Sequence, residues 1–349
     1  MLKVQILKPA IAALSLAVAA SGMAASSETS APLAIVIHGG AGTILKENMT
    51  EVTEKAVRAK LTEATNAGYA VLESNGSAMD AVIAAIRILE DSPLFNAGRG
   101  AVYNYEGHHE LDASLMDGAD QNAGAVAGVQ HIRNPISLAR LVMDASPHVM
   151  LMGEGAEAFA RSQNVPMVEN SIFNTERRYE SLQKAKQKLE KEERRGKDYQ
   201  AALDALPLHY RYGTVGAVAL DASGNLAAGT STGGMTAKRY GRIGDAPIIG
   251  AGTWADNASC AVSATGHGEY FIRFHVAADI CARVKYQGKS AQQAADNVIH
   301  DVLMPAGGTG GVIVLDPAGN ISMSFNTPGM YRASRSREQP VKTGIYKAD

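Results

Sequence analysis

Thr214 stands between Gly213 and the apolar run Val215-Gly-Ala-Val-Ala-Leu220, within the stretch Tyr212 to Asp221. An internal threonine hydroxyl is a weak nucleophile with no base of its own. A threonine at a chain start is different. Its α-amine, with an ordinary pKa of roughly 7.7–8.0, can accept the hydroxyl proton near neutral pH without a histidine. The amine exists only once the Gly213–Thr214 bond is cut. A glycine before the threonine leaves the carbonyl open to attack and permits unusual backbone angles. Against this stands the commoner reading of such a residue, a strand threonine with no chemistry. Downstream, Arg242 and Asp245 are three residues apart. On their own they read as a local surface ion pair.

Other patterns carry less. Gly229-Thr-Ser231-Thr-Gly233 matches a nucleophile elbow around Ser231, but a polar loop follows where a helix is required. Gly307-Gly-Thr-Gly-Gly311 lacks the Lys-Ser/Thr of a phosphate loop and leads into a strand. His108-His109-Glu110 has no second ligand pair at helical spacing, which argues against a metal. Cys260 and Cys281 match no metal motif. In an oxidising compartment they could pair, but a strand position and a helix face favour two buried thiols, and the pairing stays open.

The elements that must position Thr214 follow from periodicity. Leu33-Ala-Ile-Val-Ile37 reads as a buried strand running into a glycine turn, His38-Gly-Gly-Ala-Gly42. Helices are expected over 51–74, from Ser77 to near Pro93, over 134–145 and over 153–162. Short strands are expected over 101–105, 111–116 and 123–129. The stretch 176–197 is dominated by Glu, Lys, Arg and Gln; it reads as a solvated helix or a flexible linker that would tolerate a free end. Beyond Thr214, strands are expected over 214–220, 226–231 and 258–265, helices over 268–286 and 290–304, and a hairpin over 311–325. Strands in both halves with long helices imply an α+β or α/β layered body. A net charge of −2 argues against a nucleic-acid binder. Lys3 and Lys8 before the apolar Ala10–Ala20, with small residues after, read as an export signal over 1–25, cut after Ala20, Ala24 or Ala25. That run is too short to span a bilayer, so a periplasmic or secreted protein without a membrane segment is expected.

From His38 to Tyr346 the chain resembles the plant-type asparaginase / isoaspartyl peptidase family of N-terminal-nucleophile hydrolases. The matching stretches are His38-Gly-Gly-Ala-Gly42, Pro93-Leu-Phe-Asn-Ala-Gly98, Glu110-Leu-Asp-Ala113 and Met116-Asp-Gly118. In the second half they are Gly213-Thr-Val-Gly-Ala217, Thr230-Ser-Thr-Gly-Gly234, Gly241-Arg-Ile-Gly-Asp245 and Ala264-Thr-Gly-His-Gly268. The resemblance implies an αββα sandwich and a precursor cut between Gly213 and Thr214. The products would be an α chain (26–213, with a charged linker over about 176–212) and a β chain (214–349), assembled as an (αβ)₂ heterotetramer. It implies Thr214 as nucleophile and Thr232 as its orienting partner. Arg242 and Asp245 would clamp the substrate head group, Thr265 and Gly266 would form the oxyanion site, and Gly268 would contribute backbone to the pocket. Asn96 would assist the cleavage. The loop Leu89 to Arg99 resembles the family's sodium loop, with backbone carbonyls of Leu89, Glu90, Ser92, Phe95, Ala97 and Arg99 as ligands; no other cofactor is implied. The implied substrates are L-asparagine and β-aspartyl dipeptides. A glycosylasparaginase and, from another class, a periplasmic amino-acid-binding protein without turnover are the alternatives.

Overall fold

The structure, a computed structural model, describes residues 31–204, 206 and 213–349. The export signal, the leader to Ser30, and part of the charged linker lie outside the described residues.

Along Ala34–Gly42 (β1), Ile35 and Ile37 enter one apolar cluster while Ala34 and Val36 enter another. Strand side chains alternate between faces, so a strand apolar at every position needs a layer on each side. Val215–Leu220 (β5) repeats the pattern, with Val215, Ala217 and Ala219 on one face and Val218 and Leu220 on the other. The resulting eight-stranded sheet has Lys342–Tyr346 (β12) at one edge, then Gly329–Ser336 (β11), β1 and β5. It continues through Leu226–Thr232 (β6), Leu111–Asp117 (β2) and Ala123–Val129 (β3) to Met150–Met152 (β4). The pairs are antiparallel except β3 with β4. A four-stranded sheet, Ile321–Phe325 (β10), Gly310–Leu315 (β9), Cys260–Gly266 (β8) and Thr253–Asp256 (β7), lies against its inner face.

Helices Glu51–Glu73 (α1), Ala78–Glu90 (α2) and Pro135–Ala145 (α3) cover the large sheet's outer face. Leu61, Leu72, Ile86 and Leu89 are fully buried there, each worth about 1.5–3 kcal/mol of transfer free energy. Thr50 and Ser77 cap α1 and α2 by accepting from the N–H groups of Thr53 and Asp80. Val276–Gln287 (α8) and Ala291–Asp296 (α9) cover the small sheet. The layers are therefore helix, sheet, sheet, helix, as the resemblance implied.

Several local expectations are corrected. His38 to Gly42 is not a turn: it continues β1, with a register shift between His38 and Gly40. Residues 101–105 form no strand; 101–104 are buried, and the contact with 237–238 is limited to Tyr105 N donating to Lys238 O and Ala237 N donating to Tyr103 O. The charged stretch is a docked helix, Glu176–Arg194 (α5). Leu182, Ala185 and Leu189 form its narrow apolar stripe, packed with Tyr103, Ala202, Leu206 and Ala237. The helix expected over 268–286 is two, Gly268–Arg273 (α7) and α8, broken at His275. The break lets Ala277 and Ala278 N–H reach the carbonyls of Ala251 and Gly250. The strands β4, β7, β11 and β12 were not anticipated.

Cys260 on β8 and Cys281 on α8 are joined in a disulfide, Cα atoms 5.3 Å apart, so the expectation of two free thiols is overturned. The strand and helix face each other across one apolar cluster, which brings the sulfurs together. The bridge closes a loop of 21 residues, and the chain-entropy argument assigns it about 3 kcal/mol. Cys260→Ala with Cys281→Ala is expected to lower the denaturant midpoint accordingly, as should reduction of the unsubstituted protein; superimposable unfolding curves with and without reductant would contradict this.

Candidate active site

The β5–β6 hairpin pairs Val215 with Ser231. The same antiparallel register, one step further, sets Thr214 opposite Thr232, and their Oγ1 atoms are 3.2 Å apart. Thr232 has a single hydroxyl proton. It donates to Gly213 O at 3.1 Å, and its oxygen accepts from Thr214 Oγ1 and, at 3.0 Å, from Gly234 N. A second donor reaches the same carbonyl: Asn96 Nδ2, at 2.7 Å. That amide is held in orientation by donating to Gly234 O at 2.7 Å and accepting from Val102 N at 2.9 Å. The carbonyl carbon before Thr214 is thus polarised by two donors, and the Thr214 proton has a path through Thr232 to the carbonyl oxygen. Attack of Thr214 Oγ1 on Gly213 C would form the ester and break the C–N bond. The released nitrogen would take the proton and become the Thr214 α-amine, and water would then hydrolyse the ester, freeing the Gly213 carboxylate and restoring the Thr214 hydroxyl.

Behind Thr214 lies a polar chain not anticipated from sequence. His38 Nδ1 is 2.9 Å from Thr214 O, and its Nε2 is 2.9 Å from Ser263 Oγ. A carbonyl only accepts, so Nδ1 carries the proton and Nε2 accepts from Ser263. Burial pushes the imidazole pKa down to about 3, against a smaller opposing effect of the Thr214 hydrogen bond, so the ring is neutral. The chain continues from Ser263 to Thr230 at 2.7 Å, Thr253 at 2.6 Å and Ser114 at 2.8 Å, crossing between the two sheets. Gly216 lies over it; a Cβ there would strike Ser263 Oγ and the His38 ring.

Thr265, at the end of β8, is fully buried and accepts from Ala41 N at 3.3 Å, which leaves its hydroxyl proton to donate. Gly213, Thr214, Thr232, Arg242, Asp245 and Gly266 line one narrow cleft. Gly268 closes against Arg242 and Asp245: a Cβ there would sit 2.9 Å from both Arg242 Nη2 and Asp245 Oδ1. Arg242 and Asp245 are not an ion pair with each other. Arg242 donates through Nε and Nη2 to Glu269 at 2.9 and 3.0 Å, a partner 27 residues away with no sequence signal. Asp245 is 4% exposed, and its Oδ2 has no hydrogen-bond partner among the described residues. Desolvation pushes its pKa up to about 7, opposed by its own backbone N–H and by Arg242.

The loop from Leu89 to Arg99 is a separate feature. The carbonyls of Glu90 and Phe95 point to where side chains would stand at Gly98 and Gly100, whereas those of Leu89 and Ala97 accept from Ser92 N and Gly100 N. Ser231 Oγ donates to the buried carboxylate of Glu90 at 2.7 Å, a structural bond. His109 lies within hydrogen-bond reach of Val102 O and Asn174 Oδ1. Among the described residues no cluster of three or more His, Cys, Asp or Glu could hold a metal ion.

Two sheets between helix layers, with a Gly–Thr bond at the head of a central strand, define the fold of N-terminal-nucleophile hydrolases. A family model described as asparaginase matches residues 31–345, and the chain belongs to that family. It is 50% identical over 317 residues to the isoaspartyl peptidase of Salmonella typhimurium, covering 90% of this chain and 98% of that protein. The isoaspartyl peptidase of Escherichia coli K12 is 50% identical over 313 residues, with coverage of 90% and 96%. The human isoaspartyl peptidase/L-asparaginase is 43% identical over 299 residues, with coverage of 86% and 91%.

Asn96→Ala leaves Gly213 O with the Thr232 donor alone. Loss of one such donor costs about 10²–10³ in rate, so cleavage of the Gly213–Thr214 bond, followed on a denaturing gel, is expected to slow by that order. A wild-type rate in the variant would rule out this role.

Proposed function

We propose that the chain is a precursor that cuts itself between Gly213 and Thr214, and that the product hydrolyses β-aspartyl dipeptides and the side-chain amide of L-asparagine. The observation that carries this is the Gly213 carbonyl, held by Asn96 and Thr232 beside the Thr214 hydroxyl. The names of the relatives support the substrate class. They favour it over a glycosylasparaginase and over a binding protein without turnover.

In the mature site the Thr214 α-amine takes the hydroxyl proton as Oγ1 attacks the β-carbonyl of the substrate. The Arg242 guanidinium binds the α-carboxylate and Asp245 the α-ammonium, and Gly268 keeps that end of the cleft free of a side chain. The Thr265 hydroxyl and the Gly266 backbone take the charge that develops on the carbonyl oxygen. The substrate's amide nitrogen leaves, taking the proton held by the Thr214 amine. Water, deprotonated by the Thr214 amine, then cleaves the β-aspartyl ester and releases L-aspartate. Thr232 orients the nucleophile in both reactions.

We further infer an α chain over 26–213 and a β chain from 214, assembled as (αβ)₂ heterotetramers, and a periplasmic or secreted location. The export-type N-terminus and the disulfide support the location. A structural sodium ion held by carbonyls of the Leu89–Arg99 loop, where Glu90 O lies beside Gly98 and Phe95 O beside Gly100, would brace the loop that carries Asn96.

Thr214→Ala is expected to remain one uncut chain with no activity on asparagine or β-aspartyl dipeptides; two fragments, or turnover, would refute the assignment. Asp245 gives the pH dependence. Its pKa is raised, so the free enzyme holds it neutral below about pH 7 and charged above. The substrate ammonium needs the charged form. KM should therefore be flat above about pH 7 and climb about tenfold per unit below it, with kcat unaffected by this group because the ammonium keeps Asp245 ionised in the complex. A KM independent of pH between 5 and 8 would exclude Asp245 from head-group binding.

A further inference from the structure

Lys238 is 1% exposed, a charged side chain enclosed just beyond the strand that carries Thr232. It folds back over the end of β6. A Cβ at Gly234 would lie 3.0 Å from Lys238 Nζ, 3.1 Å from its Cδ and 3.4 Å from its Cε, so the lysine stem passes across the Gly234 backbone. The return is made by unusual backbone: φ is +80° at Gly234 and +59° at Ala237. That region is costly for a residue with a side chain. Here it is held by Lys238 N donating to Met235 O and Ala237 N donating to Tyr103 O. Lys238 Nζ then donates to Glu110 O at 3.0 Å, with Glu110 Oε2 at 3.5 Å.

Gly234 is the shared anchor of the two donors on the Gly213 carbonyl. Its N–H donates to Thr232 Oγ1 at 3.0 Å, and its carbonyl accepts from Asn96 Nδ2 at 2.7 Å. The β2–β6 ladder pairs Asp112 with Thr232; continued, that register would set Glu110 opposite Gly234. With Gly234 committed to the donors, Glu110 O is met by Lys238 Nζ instead. The lysine thereby spans the gap between the end of β6 and the start of β2. An apolar chain would fill the same space without the cost of burying an ammonium, so packing alone does not call for a lysine. Resting on the self-cleavage reading, we propose that Lys238 is a positioning residue for scission of the Gly213–Thr214 bond. It holds the Gly234 peptide so that Thr232 and Asn96 both aim at the Gly213 carbonyl. In the proposed mature site Thr232 still orients the nucleophile, so the same hold serves turnover. Head-group binding by Arg242 and Asp245 does not depend on it.

The test follows cleavage of the full chain on denaturing gels for the wild type, Asn96→Ala, Lys238→Met and the double variant. A hydrogen bond from a charged group contributes about tenfold or more, so Lys238→Met should slow cleavage by that order. Because Asn96 works through the peptide that Lys238 holds, the double variant should fall within about threefold of the slower single variant. In the processed Lys238→Met enzyme, kcat for asparagine should fall while KM stays within about twofold of the wild type. Cleavage at the wild-type rate overturns the proposal. So does a double variant slowed by the product of the single effects, or a KM that rises as kcat falls, which would mark a general loosening of the site. If Lys238→Met does not fold, Lys238→Gln, polar but too short to reach Glu110 O as the lysine does, enters the same cycle with the same coupling expected. A wild-type chain that never cuts would sink the self-cleavage reading itself, and this proposal with it.

Discussion

A slip of one residue between β5 and β6 would turn Thr214 away from Thr232 and exchange the faces of both strands. The site depends on that register more than on any single contact. What enforces it is burial on both faces of β5. Val215, Ala217 and Ala219 fit under the outer helices, and Gly216 sits against His38 and Ser263. Any shift would drive a larger side chain into the Gly216 position. The pairing of two threonines 18 residues apart in sequence is therefore a consequence of core packing.

The site is divided electrically. Around Thr214 the partners are hydroxyls, amides and a neutral imidazole, none carrying charge. In the proposed mature site, where the base is the nucleophile's own amine, no imidazolium is needed beside it. At the Arg242–Asp245 end the polarity is strong and incomplete. Glu269 holds one edge of Arg242, and Asp245 is desolvated with an unpartnered oxygen. Burying a carboxylate in this way is unfavourable, and the ammonium of the proposed substrate would offset that cost.

Much of this was legible in the chain. Val215 to Leu220 reads as a strand because it is apolar throughout, and Ser77 and Ser290 announce helices through their caps. Thr232, Arg242, Asp245 and Gly266 were expected near Thr214 on family motifs, and they share one cleft. What escaped was what depends on tertiary partners. Glu269 and His38 act across long separations that no local period reports. In α5 the polar average hides a stripe of three residues. In β11 the alternating arginines and serines resemble a loop until β1 and β12 are seen on either side. Residues 101–105 differ the other way, being apolar enough for a strand but meeting the segment at Ala237 and Lys238 through too few backbone bonds to make a ladder.

The order of the large sheet has a temporal consequence. Taken by their side of the Gly213–Thr214 bond, its strands alternate: β12 and β11 follow the bond, β1 precedes it, β5 and β6 follow, and β2, β3 and β4 precede. β1 is thus enclosed on both edges by strands of the other segment. Either segment alone would carry unpaired edges on strands meant for the sheet interior. On the proposed processing, scission would come after folding, and a single translated chain would supply one copy of each segment to every molecule.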